Sequence, residues 1–184
     1  MVITQLIGNQ KIRYHFKEET NESKRKFIRN ATLENYQVKL LNAAKKAMET
    51  AYNPYSKFFV GAALLTKDGK IITGSNFENA SYGHTICAER SALVRANAMG
   101  YREFKSIAII TRGEHADSNE PTAPCGACRQ MLFEASQVSN VDLEVIMSNT
   151  KMDNIIITKI SDLLPLAFGP KDLGINLDDY KRRK

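Results

Sequence analysis

The chain has 184 residues, of which 43% are hydrophobic and 25% charged, and it carries a formal net charge of +6. That is length and apolar content for one domain with its own core, and no run of 18 apolar residues argues for a membrane span. Residues 1–30 hold seven Lys/Arg against three Glu, and the chain closes on Lys181-Arg182-Arg183-Lys184, which leaves the middle slightly acidic. A nucleic-acid binder puts its basic surface on the folded domain beside the site. The basic ends therefore read as solvated tails, with a weak contact to nucleic acid or an anionic surface as the other reading.

The start, Met1 to Gly8, has no basic lead before a long apolar block, so it does not read as a secretory leader. Residues 1–30 are polar and include the charged run Lys17 to Lys26, which reads as an extension. Ile3, Leu6 and Ile7, and the alternating Ile12, Tyr14 and Phe16, allow short strands there instead. Thr32 is the expected N-cap of a helix over about 33–52, with Leu33, Tyr36, Leu40, Ala44, Ala47 and Ala51 as its apolar stripe. Asn53-Pro54-Tyr55 ends it, because proline disfavours a helical residue before it.

Strands are expected at Phe58–Thr66 and Lys70–Ser75, with Asp68-Gly69 as the hairpin turn between them. A second helix is expected over 87–99, stopping at Gly100, and a strand at Phe104–Thr111. Residues 112–123 form a polar loop, followed by a third helix from near Cys125 to near Ser139. Strands at Leu143–Met147 and Ile155–Ile160, a turn at Asn149–Asn154 and a short helix at Asp162–Leu164 complete the series. The order α-β-β-α-β-α-β-β-α predicts an α/β fold, a three-layer sandwich of helices around a five-stranded mixed sheet.

All three cysteines fall in two stretches, Cys87-Ala88-Glu89-Arg90 and Pro124-Cys125-Gly126-Ala127-Cys128. Thiolates bind zinc, and three protein ligands plus one water make an open, catalytic site. Cys87 and Cys125 sit at expected helix N-termini, where the dipole and unpaired N–H groups favour anions. Cys125 and Cys128 share a helix face, while Glu89 leaves Cys87 in another direction and can overhang the metal. Three thiolates on Zn²⁺ leave a formal charge of −1, which Arg90 and Arg129, each directly after a zinc cysteine, are placed to offset. Three structural cysteines without a metal, or a redox Cys-x-x-Cys pair, would give Glu89 no role. Cysteines needed as thiolates suit a reducing, cytoplasmic location.

A Cys or His, then x-Glu, then Pro-Cys-x-x-Cys is the signature of the zinc deaminases of bases and nucleosides. The resemblance tightens along the chain, through Ala51-Tyr52-Asn53-Pro54-Tyr55-Ser56-Lys57-Phe58, Val60-Gly61-Ala62-Ala63, Asn76-Phe77-Glu78-Asn79-Ala80-Ser81-Tyr82, Pro124 to Gln130, and Leu163-Leu164-Pro165-x-x-Phe168-Gly169-Pro170. Over about residues 33–174 the sequence resembles the small homotetrameric, zinc-dependent cytidine deaminases. That divides the chain into an extension over 1–32, a catalytic domain over 33–174 and a basic tail over 175–184.

The resemblance implies one zinc per chain on Cys87, Cys125 and Cys128, with Glu89 as the catalytic acid–base. It implies that Asn76 and Glu78 bind the ribose 3′-hydroxyl, that Phe58 packs on the pyrimidine, and that Ala80 and the backbone of Ala88 also contact the nucleoside. Tyr82 and Phe168 would reach the pocket from neighbouring subunits. The reaction implied is hydrolysis of cytidine and 2′-deoxycytidine to uridine and 2′-deoxyuridine plus ammonia, in pyrimidine salvage. Its partners would be the nucleoside and further copies of the chain, with no membrane or nucleic acid.

Three features depart from the family pattern: the long N-terminal extension, the long 112–123 loop, and His84 three residues before Cys87. His84 is not expected to bind metal, because three ligands suffice, and His15 and His115 lie in polar segments as solvated residues. A blasticidin-type deaminase, a nucleic-acid deaminase and a non-enzymatic zinc module are the competing readings. The ribose pair, Cys in the Cys87 slot and Glu89 argue against them in turn.

Overall fold

The computed structural model describes residues 2–7, 10–15, 27–28, 33–114 and 120–181, the first three stretches as backbone alone. The Thr32 cap, the arrangement of most of the extension, the side chain of His15, His115 and the middle of the 112–123 loop lie outside the described residues. Within the extension, β1 (Val2–Ile7) and β2 (Gln10–His15) pair antiparallel as a hairpin.

The helix expected over 33–52 is α1, Asn35–Met48. It begins after Glu34, whose N–H donates to the Gln37 side chain at 3.0 Å. It stops earlier than expected because Tyr52 has left the helix to pair with the stretch ahead of the metal site. The Tyr52 N–H donates to the Asn76 carbonyl at 3.0 Å, and the Glu78 N–H donates back to Tyr52 at 2.7 Å. The buried stripe is Gln37, Leu40, Leu41, Ala44 and Met48, so Leu41 and Met48 face the core where Ala47 and Ala51 were expected.

The sheet holds the five expected strands: β4 (Phe59–Thr66), β5 (Ile71–Ser75), β6 (Phe104–Arg112), β7 (Glu144–Ser148) and β8 (Ile155–Lys159). A two-residue strand from the extension, β3 (Phe27–Ile28), lies against the β8 edge. The order is β3-β8-β7-β6-β4-β5, with β6 and β7 parallel and the other pairs antiparallel. Asp68-Gly69 makes the β4–β5 turn, where Gly69 has a φ of 88° that glycine adopts without strain.

Successive strand residues point to opposite faces, and the two faces build two cores. Ala63, Ala108, Ile110 and Ile146 pack on α1. Ala62, Leu64, Ile107, Ile109, Val145 and Met147 pack on α2 (Ala88–Ala98) and α3 (Gly126–Ser139). This is the expected three-layer sandwich. It sets α2 and α3 on one face with their N-termini converging. A short α4 (Ile160–Leu163) follows β8. The residues after it run along α3, and within the stretch expected as a solvated tail the Tyr180 carbonyl accepts from Arg102 at 2.8 Å.

Candidate active site

Cys87 is the N-cap residue of α2 and Cys125 that of α3. Cys128 follows in the first turn of α3 and is fully buried. The three sulfurs lie within 4.8 Å of one another, with Cys87 and Cys125 3.9 Å apart. A Zn–S bond of 2.3 Å puts two sulfurs of a tetrahedral shell about 3.8 Å apart. The cluster therefore has dimensions that suit three of the four ligands of a zinc shell, closed on the helix side and open at Cys125, which is exposed.

The electrostatics point the same way. The Cys128 thiol beside it pulls the Cys87 thiol down to about 6. Cys128 is pushed upward by the same contact and by burial. A thiolate at Cys87 is favoured and one at Cys128 beside it is opposed, so a cation is what lets both ionise together. Glu89 is only 4% exposed. Burial raises its pKa, against the lowering pull of its own backbone N–H, Cys128 and Arg90. A buried carboxyl with a raised pKa beside a metal cluster is the expected state of a group that both takes and gives a proton.

Asn76 and Glu78 are both buried. The Asn76 amide brackets the start of β4: its oxygen accepts from the Val60 N–H at 2.9 Å and its nitrogen donates to the Phe58 carbonyl at 2.8 Å. The Glu78 carboxylate accepts from the N–H groups of Tyr55 and Ser56 at 3.0 and 3.2 Å. Burial opposes ionisation of Glu78, yet the Ser56 side chain and these two N–H groups outweigh it and hold the carboxyl below its usual range. The pair thus anchors the 53–60 segment, which carries Phe58.

Residues 34–144 match the family model described as the cytidine and deoxycytidylate deaminase zinc-binding region. The chain belongs to this deaminase family. A cytidine deaminase of Halalkalibacterium halodurans is 48% identical over 135 residues, which is 73% of this chain and 96% of that protein. One from Sporosarcina psychrophila is 47% identical over 74% of this chain and 93% of its own length. Among solved structures, a cytidine deaminase from Burkholderia pseudomallei is 49% identical and superposes with a TM-score of 0.64, over 71% of this chain and 98% of that one.

In this deaminase the metal of the family is zinc, and among the described residues the one cluster of metal-binding type is Cys87, Cys125 and Cys128. His84 is not in it. It is exposed, and its Nδ1 pairs with the Ser81 hydroxyl at 2.9 Å. Ala88 is fully buried at the start of α2, Ala80 is exposed in the loop before it, and Arg90 is half-buried in the first turn. No helix among the described residues is long and apolar enough to cross a membrane.

The aromatic residues expected at the pocket are open to solvent in the single chain. Phe58 is exposed, Tyr82 is 73% exposed and Phe168 61% exposed. Tyr82 meets Tyr55 edge-on at 5.7 Å, and exposed Tyr52 and Phe77 meet at 5.3 Å.

Tyr55, Ser56 and Gln130 contribute without a role in the sequence reading, and Arg129 has partners that it did not give. Tyr55 and Ser56 hold Glu78 through backbone N–H groups, which leave no residue signature. Gln130 stands in the metal motif without an assigned role, and it donates to the Phe168 carbonyl at 2.7 Å. Arg129, placed by sequence as a charge beside the thiolates, donates to the Pro124 carbonyl at 2.8 Å and to the Leu163 carbonyl at 3.0 Å.

Proposed function

We propose that the protein is a zinc-dependent hydrolase that deaminates cytidine and 2′-deoxycytidine to the uridines and ammonia. The observation that carries this is buried Glu89 beside a three-sulfur cluster of zinc dimensions, in a chain nearly half identical to cytidine deaminases.

Cys87, Cys125 and Cys128 would hold one zinc, which supplies a Lewis acid that makes a water acidic enough to lose a proton near neutral pH. Glu89 accepts that proton. The oxygen adds to C4 of the cytosine ring as Glu89 delivers the proton to N3. The hydroxyl proton then passes through Glu89 to the amino group, the C4–N bond breaks, and ammonia leaves. One water is consumed and Glu89 ends as it began. Its burial keeps bulk water from competing for the proton.

Asn76 and Glu78 select a ribose by binding its 3′-hydroxyl, a contact a free base cannot make. Phe58 packs on the pyrimidine, with Ala80 and the Ala88 backbone at its edges. Arg90 and Arg129 offset the charge of the thiolates. The catalytic domain spans 33–174, flanked by the 1–32 extension and the basic 175–184 tail.

The assembly is a homotetramer in which Tyr82 and Phe168 complete neighbouring pockets. Support comes from the exposure of both rings and from the exposed Tyr55–Tyr82 and Tyr52–Phe77 pairs, since exposed aromatic surface is typical of an interface. The enzyme would work in the cytoplasm, in pyrimidine salvage, with no membrane or nucleic-acid partner; cysteines needed as thiolates support the reducing compartment.

The test is a substrate panel of cytidine, deoxycytidine, cytosine, dCMP and a cytosine-containing oligonucleotide, followed by loss of cytosine absorbance. Turnover confined to the two nucleosides supports the reading. Preference for cytosine, dCMP or the oligonucleotide replaces it.

A further inference from the structure

Arg129 directly follows the buried zinc-site residue Cys128, but its guanidinium is spent on two backbone carbonyls. Nε donates to Pro124, the residue before Cys125, and Nη1 donates to Leu163, the last residue of α4. The two acceptors are 39 residues apart in sequence and belong to the metal loop and the C-terminal segment. A planar fork with donors in fixed, divergent directions can serve both, and a lysine ammonium on a single stem cannot.

The neighbouring contacts extend the same joint. Gln130 donates to the Phe168 carbonyl at 2.7 Å. One turn and two turns further along α3, Phe133 and Gln137 press on Gly169. A Cβ there would stand 2.8 Å from the Phe133 ring and from the Gln137 side-chain oxygen, so a larger residue would have to push these side chains aside. Gln137 also accepts from the Lys171 N–H at 3.3 Å.

We propose that Arg129 is a positioning residue, a strut through which the loop carrying Cys125 seats residues 163–170 along α3. Emptying the metal site loosens the loop, and the segment that presents Phe168 loosens with it. The strut stands on these hydrogen bonds alone. Its effect on substrate rests on the stacking role proposed for Phe168.

Charge compensation and strut make opposite demands on Arg129→Lys, which keeps the charge and loses the fork. Hydrogen exchange on the full chain reads the difference. The N–H groups of Gly169, Asp172, Gly174 and Ile175 are all bonded within residues 169–175, which continue the segment, and serve as reporters. In zinc-loaded Arg129→Lys these should exchange about 3- to 10-fold faster than in the wild type, the scale of one lost hydrogen bond. Zinc content should be unchanged and KM for cytidine should rise more than kcat falls.

Wild-type protein stripped with a chelator should show the same faster exchange. Gln130→Met, which removes the second bond on the surface, repeats the test should Arg129→Lys fail to fold. Wild-type exchange in both variants, or unchanged protection after zinc removal, overturns the strut. Faster exchange with an unchanged KM keeps the strut and overturns the stacking role of Phe168.

Discussion

The sulfurs of Cys87 and Cys125 stand 3.9 Å apart, although 38 residues separate them in the chain. Each caps its own helix, and the two helices pack on the same face of the sheet. A cation held between them therefore clamps α2 to α3, and binding free energy for a metal becomes stability for the fold.

The first prediction follows from that clamp. Elemental analysis of the purified protein should give about one zinc per chain. Cys128→Ala should lose it, and its Tm should match that of chelator-treated wild type within error. Active wild-type protein without metal would remove the cluster from the chemistry.

A second prediction concerns Glu78 and the ribose. Free cytosine should be a very poor substrate beside cytidine. Glu78→Ala should lower kcat/KM by about 10²-fold or more, the scale for a site whose buried polar partner is deleted. Comparable rates on cytosine and cytidine would turn the assignment toward a base deaminase.

The same residue gives a pH dependence. The N–H groups of Tyr55 and Ser56 hold the ionised carboxylate, so the pKa of folded Glu78 lies below the ordinary 4.5. A depressed acid stabilises the fold fully above its unfolded pKa, and the contribution is lost as pH falls through the folded one. The Tm gap between wild type and Glu78→Gln should be constant near neutrality and close below about pH 4.5. A gap that widens on acidification would contradict the hydrogen-bonding pattern.

The fourth prediction concerns assembly. Phe168→Ala should weaken substrate binding by about 1–3 kcal/mol, the scale of one base–aromatic stack, with zinc content unchanged. Light scattering should report four chains. A fully active monomer would make Phe168 and Tyr82 ordinary packing residues of one chain.

Much of this was legible in the sequence because the chemistry is local. Cys87, Glu89, Cys125 and Cys128 sit within short motifs at helix starts, and the bounds expected for those two helices hold to within about a residue. The end of α1 was less legible, since Tyr52 trades helix for a contact with Asn76 and Glu78 that only the folded chain makes. Likewise Arg129 reads as a charge from its position, while its carbonyl partners at Pro124 and Leu163 carry no side-chain code. The β3 edge strand is two residues long and too short to leave a pattern.

The most direct measurement is turnover by Glu89→Gln, which keeps the side chain's shape and removes its ability to take a proton. Uridine and ammonia formed from cytidine would be quantified against zinc content in the same sample. The account predicts full zinc occupancy with kcat reduced by about 10²–10⁴-fold or more, the usual contribution of a positioned acid–base group. Near-normal turnover by zinc-loaded Glu89→Gln would contradict it.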